Sequence, residues 1–299
     1  MMCEAAPQLC PVCHRTPRRS FRLSSGATLL RCPGCGLGWW PWAGIDPARF
    51  YDRDYFQSPD RPHGYNDYAA LEGGLQLTAR QRLRRIARLA RRSAAPPNHA
   101  APRLLDIGCG TGTFAAEARR LGWEAAGVEV SGYAAEIARR RGLAVVCEPI
   151  EQTKLEAESL DCITLWDVLE HLRDPLGVLR KAGQALRTGG VLALSTGDLT
   201  SLAARLSGRH WHLLTVPEHL FFFSPACLRR MLEAAGCRVV LMTREVNWVP
   251  VRYLIERLAK TLWPPIGRLS GIAGARWTVP ATLFDVLGLY AIRTGEPQV

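Results

Sequence analysis

Lysine is almost missing from this 299-residue chain: Lys154, Lys181 and Lys260 are all there is, and arginine carries the rest of its positive charge. A formal net charge of +11 ordinarily points to nucleic acid or an acidic lipid surface. Arginines scattered along the whole length reflect coding composition just as readily, which weakens that reading. Long apolar runs are missing too. No stretch reaches the roughly 20 residues a bilayer span needs, and Met1 to Pro11 lacks the charged start and apolar stretch of a signal peptide. The expected compartment is the cytoplasm. Internal repeats and low-complexity tracts are absent as well, which excludes a solenoid. At 47% hydrophobic and 22% charged residues, the chain can bury the core of one large domain beside a small module.

A disulfide framework is also excluded. Of the cysteines, Cys3, Cys109, Cys147, Cys162, Cys227 and Cys237 stand singly, mostly in what reads as core, the usage of a reducing compartment. The other four form two C-x-x-C pairs, Cys10/Cys13 and Cys32/Cys35, with Pro11, Pro33, Gly34 and Gly36 supplying tight turns. Two such turns bring four thiolates around one ion, the tetrahedral arrangement of structural zinc. All four ligand positions are then filled, so a catalytic zinc is not expected. A redox pair would need a single C-x-x-C beside a βαβ unit.

Three zones follow along the chain: a zinc-binding ribbon over 1–45, a connector over 46–100, and one α/β domain over 101–299. The connector begins with aromatics (Phe50, Tyr51, Tyr55, Phe56, Tyr65, Tyr68) and ends in an arginine-rich helix. Between Arg80 and Arg92 there is no acidic residue, and Leu83, Ile86 and Ala90 share one helical side. That helix is expected to pack its apolar stripe and solvate its arginines; the alternative is a phosphate-binding surface. From Arg103 the pattern becomes strand, helix, glycine, strand. Strands are expected at Leu104 to Ile107, Ala125 to Val130, Leu143 to Cys147, Asp161 to Trp166, Val191 to Ser195, Val239 to Met242 and Val286 to Ile292. Gly122, Gly142 and Gly236 close the intervening helices, Asp174 and Ser224 cap two of them, and Gly189-Gly190 leads into a strand. Alternation at this spacing predicts a doubly wound, mostly parallel sheet of seven strands with helices on both faces.

One stretch carries the chemistry: Leu104-Leu105-Asp106-Ile107-Gly108-Cys109-Gly110-Thr111-Gly112. A strand ends in an acid, and three glycines at alternate positions open a helix, so the backbone can approach a ligand at the strand's carboxyl end. The spacing is D-x-G-x-G-x-G, not the G-x-G-x-x-G of dinucleotide sites. Glu129 ends the next strand, and Trp166-Asp167-Val168-Leu169-Glu170-His171-Leu172 follows the fourth. Together these resemble class I S-adenosylmethionine-dependent methyltransferases, in the branch that includes ubiquinone-pathway O-methyltransferases. The resemblance covers Arg103 to about Met242 and resumes at the last strand. Several bacterial methyltransferases look similar at the ribbon too, as in Cys35-Gly36-Leu37 and Trp39-Trp40.

The resemblance implies S-adenosylmethionine as cofactor, cradled by Asp106, Gly108, Gly110, Thr111, Gly112 and Phe114. It places Glu129 and Val130 at the ribose, Pro149 and Ile150 near adenine, and Trp166 and Asp167 near the sulfonium, where a carboxylate and an aromatic face suit a cation. His171 and His219 are the candidate general bases, with Glu170 orienting one of them. His219 lies in Pro217-Glu218-His219-Leu220-Phe221-Phe222-Phe223-Ser224-Pro225, whose aromatics are expected to pack. The missing N/D-P-P-Y/F sequence argues against a nucleobase amino group. The expected acceptor is an oxygen, or a carbon, of a small molecule, sugar or lipid-linked glycan. Two alternatives stand: an RNA methyltransferase gripping backbone with the ribbon and the arginine helix, and a cofactor-binding module without catalysis.

An insertion over 248–283 separates the last two strands. Val251, Leu254, Ile255, Leu258 and Leu262 share one helical face, with Arg252, Glu256, Arg257 and Lys260 on the other. This amphipathic segment is expected to be a lid, or a peripheral membrane contact through 248–265.

Overall fold

The computed structural model of the chain describes residues 8–23, 26–40, 50–58, 68–92, 100–251 and 277–295. The cysteine-rich start forms β1 (Arg18–Arg22), β2 (Thr28–Arg31) and β3 (Gly38–Trp39), paired antiparallel in that order. A short helix follows, α1 (Arg53–Gln57), whose N-cap Asp52 accepts from the Tyr55 amide. The arginine-rich segment lies in α2 (Glu72–Arg92), with Leu83 and Ile86 fully buried as the stripe implies. Its arginines are not all solvated, however. Arg82 is 6% exposed because its guanidinium reaches the buried Glu245 carboxylate, a partner far away in sequence.

From here strands and helices alternate: β4 (Arg103–Ile107), α3 (Thr113–Arg120), β5 (Glu124–Val128), α4 (Gly132–Arg140), β6 (Ala144–Val146), β7 (Leu160–Trp166), α5 (Pro175–Ala185) and β8 (Leu186–Gly197). Gly122 and Gly142 follow α3 and α4 at φ 86° and 80°, a region that strains any L side chain. β8 departs most from expectation. It begins directly after α5 and runs through Gly189 and Gly190, with the irregularity absorbed between Leu160 and Cys162 of β7. The remaining elements are α6 (Leu202–Ser207), β9 (Phe221–Phe222), α7 (Pro225–Ala234), β10 (Cys237–Arg244), β11 (Asn247–Pro250), β12 (Thr278–Ala281) and β13 (Val286–Arg293).

Seven strands form one sheet in the order β10-β13-β8-β7-β4-β5-β6. The run from β8 to β6 is parallel, and β13 is antiparallel to both neighbours. This is the doubly wound sheet expected. Alternate residues feed two cores: Leu105, Ile107, Ile163 and Leu165 on one face, and Leu104, Cys162, Val191 and Ala193 on the other with Leu83 and Ile86. Cys109, Cys162, Cys227 and Cys237 are buried as expected, but Cys147 is exposed, because it lies just beyond the short edge strand β6.

The ribbon is not separate from this body. β3 pairs antiparallel with β9, giving a second sheet in the order β1-β2-β3-β9. The two ends of the insertion also pair, β11 with β12, from Asn247↔Ala281 to Pro250↔Thr278. Trp248 therefore belongs to a strand, packed so closely on α2 that a Cβ at Gly74 would meet its carbonyl oxygen at 2.1 Å. Leu254, Ile255, Leu258 and Leu262 lie outside the described residues, so the amphipathic face falls there. Among the described residues no helix is long and apolar enough to cross a membrane.

Candidate active site

β4 delivers the glycine loop at the carboxyl edge of the sheet. Gly108, Gly110 and Gly112 all have positive φ (67°, 54° and 81°), yet the space around them differs. A Cβ on Gly108 would meet Val168 Cγ2 at 2.5 Å, and one on Gly112 would meet Leu143 Cδ1 at 2.5 Å and Ala138 Cβ at 2.9 Å. On Gly110 the nearest atom would be Tyr68 Oη, at 3.6 Å. The sequence assigns all three absent side chains to a ligand; of the three, only Gly110 has room for a Cβ. The other two make room for the protein itself.

Glu129 stands one residue beyond β5. Its carboxylate accepts from the Gly110 and Ser131 amides, both at 2.8 Å, and burial raises its pKa although those amides oppose the shift. Val130, half-buried, links it to Ser131, the N-cap of α4. Thr111 Oγ1 is buried with no hydrogen-bond partner among the described residues. An unsatisfied hydroxyl beside the glycine opening is what a polar ligand would complete. Asp106 accepts from the Thr164 hydroxyl at 2.6 Å, and burial pushes its carboxyl up to about 7.

Trp166 and Phe114 lie on the core side of the loop, their rings 5.2 Å apart. The sequence places Trp166 beside a ligand's positive charge; within the protein the Arg82 guanidinium lies over its ring, 4.1 Å from the centroid. A polar chain runs on from there. Arg82 pairs with Glu245 Oε2 at 3.0 Å and donates to Ser195 Oγ at 3.3 Å, and Ser195 donates to Asp167 Oδ1 at 2.9 Å. Asp167 itself sits at φ 55°. Pro149 and Ile150 open a turn whose shape is set by Lys181. This ammonium donates to the carbonyls of Ile150 (2.9 Å), Glu151 (2.7 Å) and Thr153 (3.1 Å). Ile150 itself is buried in the first core.

His171 and His219 come together, with ring centroids 4.7 Å apart and an interplanar angle of 80°. His171 Nδ1 donates to the Glu218 carbonyl at 2.9 Å, and His219 Nδ1 to the Leu213 carbonyl at 2.8 Å. A carbonyl can only accept, so each of these contacts calls for a proton on Nδ1, and in the neutral ring that leaves Nε2 as the basic nitrogen. Burial holds His171 down at about 4, although the Glu218 carbonyl opposes this. Glu170 accepts from the Thr196 hydroxyl at 2.9 Å, and burial, then the Asp167 charge, pushes it up to about 8. Among the described residues its carboxylate is held by Thr196 rather than by an imidazole, and its backbone carbonyl accepts from the Leu220 amide at 2.8 Å and ties the two loops together. Donor atoms of Glu170, His171 and His219 all lie within 4.8 Å of one another.

The connector contributes residues for which the sequence alone suggests no role. Tyr51 Oη lies 2.8 Å from His171 Nδ1, and its ring meets Tyr55 edge-on at 4.9 Å. Tyr68 hangs over Gly110, and burial pushes both tyrosines above the usual phenol range. Aromatic density was the signal that could have marked them.

At the ribbon, Cys10 Sγ lies 3.5 Å from Cys35 Sγ, and Cys13 Sγ 3.3 Å from Cys32 Sγ. A zinc–sulfur tetrahedron has sulfur–sulfur edges of about 3.8 Å, so the four thiols are grouped at the scale of one ion. The Gly34 amide donates to Cys32 Sγ at 3.3 Å. Burial pushes the Cys32 thiol up, but the amides and the Cys13 thiol outweigh it and bring it down to about 6. The donor set fits zinc.

Comparison with known proteins agrees with this geometry. The family model described as "Methyltransferase domain" matches residues 78–241. A ubiquinone biosynthesis O-methyltransferase of Aeromonas salmonicida is 31% identical over 161 residues, 49% of this chain and 66% of that protein. One of Xanthomonas axonopodis pv. citri is 30% identical over 153 residues, 47% of this chain and 64% of that one. The matches thus span just under two thirds of these relatives. Among solved structures, the YcgJ protein of Bacillus subtilis superposes with a TM-score of 0.51 at 16% identity, covering 72% of this chain and all of that one (100%). A Bacillus halodurans protein reaches 0.50 at 14% identity, covering 70% and 99%. The chain belongs to this methyltransferase family, and its fold is that of the class I S-adenosylmethionine-dependent methyltransferases.

Proposed function

We propose that the chain transfers a methyl group from S-adenosylmethionine to a hydroxyl oxygen of a small aromatic molecule. The observation that carries this reading is the pair of imidazoles, His171 and His219, packed together with Nδ1 of each on a backbone carbonyl. S-adenosylmethionine, when bound, supplies an electrophilic methyl group on a sulfonium. The Gly110 opening, the Thr111 hydroxyl and Glu129 would hold it, with Asp106 and Asp167 alongside. What remains for the protein is to align the hydroxyl and take its proton. Nε2 of His171 or His219 does so, and a ring held at about 4 stays in its basic form throughout the neutral range.

The aromatic surroundings of His171 support a planar acceptor. Tyr51 and Tyr55 stack edge-on beside His171, which suits an aromatic ring more than a sugar. The relatives named as ubiquinone O-methyltransferases support the same class. The arginine helix offers less to RNA than its sequence suggests, since Arg80 pairs with Glu117 and Arg82 and Arg85 with Glu245. We retain the division into a ribbon (1–45), a connector that walls the site (46–100) and a methyltransferase domain (101–299).

The test uses a panel of phenols and catechols, with release of S-adenosylhomocysteine as the readout. His171→Gln or His219→Gln should lower turnover at least tenfold while cofactor affinity stays within about twofold. Full turnover in both variants would remove the proton acceptor from this pair, and no release with any member of the panel would remove the acceptor class.

A further inference from the structure

The ribbon meets the imidazole pair through one indole. β3 pairs with β9 at Gly38↔Phe222 and Trp39↔Phe221, and the next residue, Trp40, donates its Nε1–H to the His219 carbonyl at 2.7 Å. The His219 amide donates to Thr215 at 2.8 Å and its ring to Leu213. The main chain of His219 is therefore gripped at its amide by its own loop and at its carbonyl by the ribbon.

The ribbon is itself fastened close by. Ser224 Oγ, the N-cap of α7, donates to the Cys35 carbonyl at 2.6 Å. Gly36, at φ 77°, lets this approach happen, since a Cβ there would lie 3.0 Å from Ser224 Oγ. Cys10, Cys35, Leu37 and Trp39 share one buried cluster with Phe221 and Cys227. A short, buried, hydrogen-bonded segment thus runs from a metal-type ligand, Cys35, to the residue that holds His219. The glycine loop follows β4 and Glu129 stands one residue beyond β5, so neither is carried by β3, β9 or the His219 loop.

We propose that Trp40 is a positioning residue for His219, and that the ribbon's four-cysteine site acts on the acceptor side of the active site through it. This rests on the role given to His219 above. Trp40 is not placed against the acceptor; it fixes the backbone from which the imidazole projects. A structural metal is then part of the catalytic frame, and its loss should leave cofactor binding largely intact while misplacing one of the two bases.

The chain has seven histidines, so selective 15N-histidine labelling gives a readable spectrum, with His219 assigned through His219→Gln. Trp40→Phe keeps an aromatic ring and removes the N–H. The expected result is displaced His219 ring resonances and at least fivefold lower turnover, with S-adenosylhomocysteine affinity within about twofold. Ser224→Ala, which loosens the ribbon without touching the indole, should displace the same resonances less. In the second arm, the full chain is purified without chelator and compared with Cys13→Ser/Cys32→Ser. Zinc should be lost and the His219 resonances should move as in Trp40→Phe.

Unmoved His219 resonances in Trp40→Phe overturn the positioning role. Loss of zinc with unmoved resonances, or no zinc in the parent protein, overturns the role of the cysteine site. If His219→Gln keeps full turnover, the assignment of the base fails, and the resonance shift still decides whether Trp40 positions His219.

Discussion

Replacing each of two glycines in the same loop by alanine should separate ligand space from packing space. At Gly110, φ is 54° and the nearest atom to a new Cβ is Tyr68 Oη at 3.6 Å, ordinary van der Waals contact. Gly110→Ala then costs only the strain of a left-handed L residue, about 1–2 kcal/mol. At Gly112 the same strain applies, but the new Cβ would overlap Leu143 Cδ1 at 2.5 Å and Ala138 Cβ at 2.9 Å. Overpacking adds about 1–3 kcal/mol, for a total of about 2–5 kcal/mol. At about 2–4 °C per kcal/mol, Gly110→Ala should melt a few degrees below wild type and Gly112→Ala well below that. Binding should follow the opposite order. A methyl group in the Gly110 opening should weaken S-adenosylhomocysteine at least tenfold by calorimetry, about 1.4 kcal/mol or more. Gly112→Ala, measured well below its melting point, should lose less. If Gly110→Ala binds within twofold of wild type, or melts as low as Gly112→Ala, the assignment of the open space is wrong.

Two of the buried titrating groups, His171 and Glu170, should tilt stability in opposite directions with pH. His171, depressed to about 4, contributes stability that is present above about pH 6.5 and lost as pH falls through 4, a slope that His171→Gln should flatten in urea titrations. Glu170, raised to about 8, contributes stability that is present below its ordinary carboxylate range and lost as pH rises through 8; between pH 7 and pH 9 the melting temperature of Glu170→Gln should fall less than that of wild type. Elemental analysis of protein purified without chelator should find one zinc per chain, bound at Cys10, Cys13, Cys32 and Cys35.

The glycine loop could be read from sequence because a strand, an acid, three glycines and a helix follow one another without a gap, so local spacing alone carries the geometry. The sheet was legible for the same reason, from Gly122 and Gly142 closing helices between apolar strands. What escaped depends on partners far apart in the chain. Nothing near Arg82 announces that Glu245 will neutralise it, and so a helix with no acid of its own reads as solvated. β3 and β9 are two residues each, too short for any periodicity, so the junction of ribbon and domain leaves no pattern to find. His171 and His219 were both singled out, but the Glu218 and Leu213 carbonyls that set their tautomers became visible only once the loops were placed together. Lys181 gave no local sign either, since its three acceptors are carbonyls of a turn in another element.

The proposed reaction is methyl transfer to a small hydroxyl compound, with the glycine loop on the cofactor side and the imidazole pair on the acceptor side. Its most direct test incubates the purified chain with methyl-tritiated S-adenosylmethionine and cell extract separated into small-molecule, glycan, lipid and RNA fractions. Label should appear in the small-molecule fraction as an alkali-stable methyl ether, and should be lost with His171→Gln/His219→Gln. Label in RNA, or none in any fraction from protein that binds the cofactor, would contradict the account.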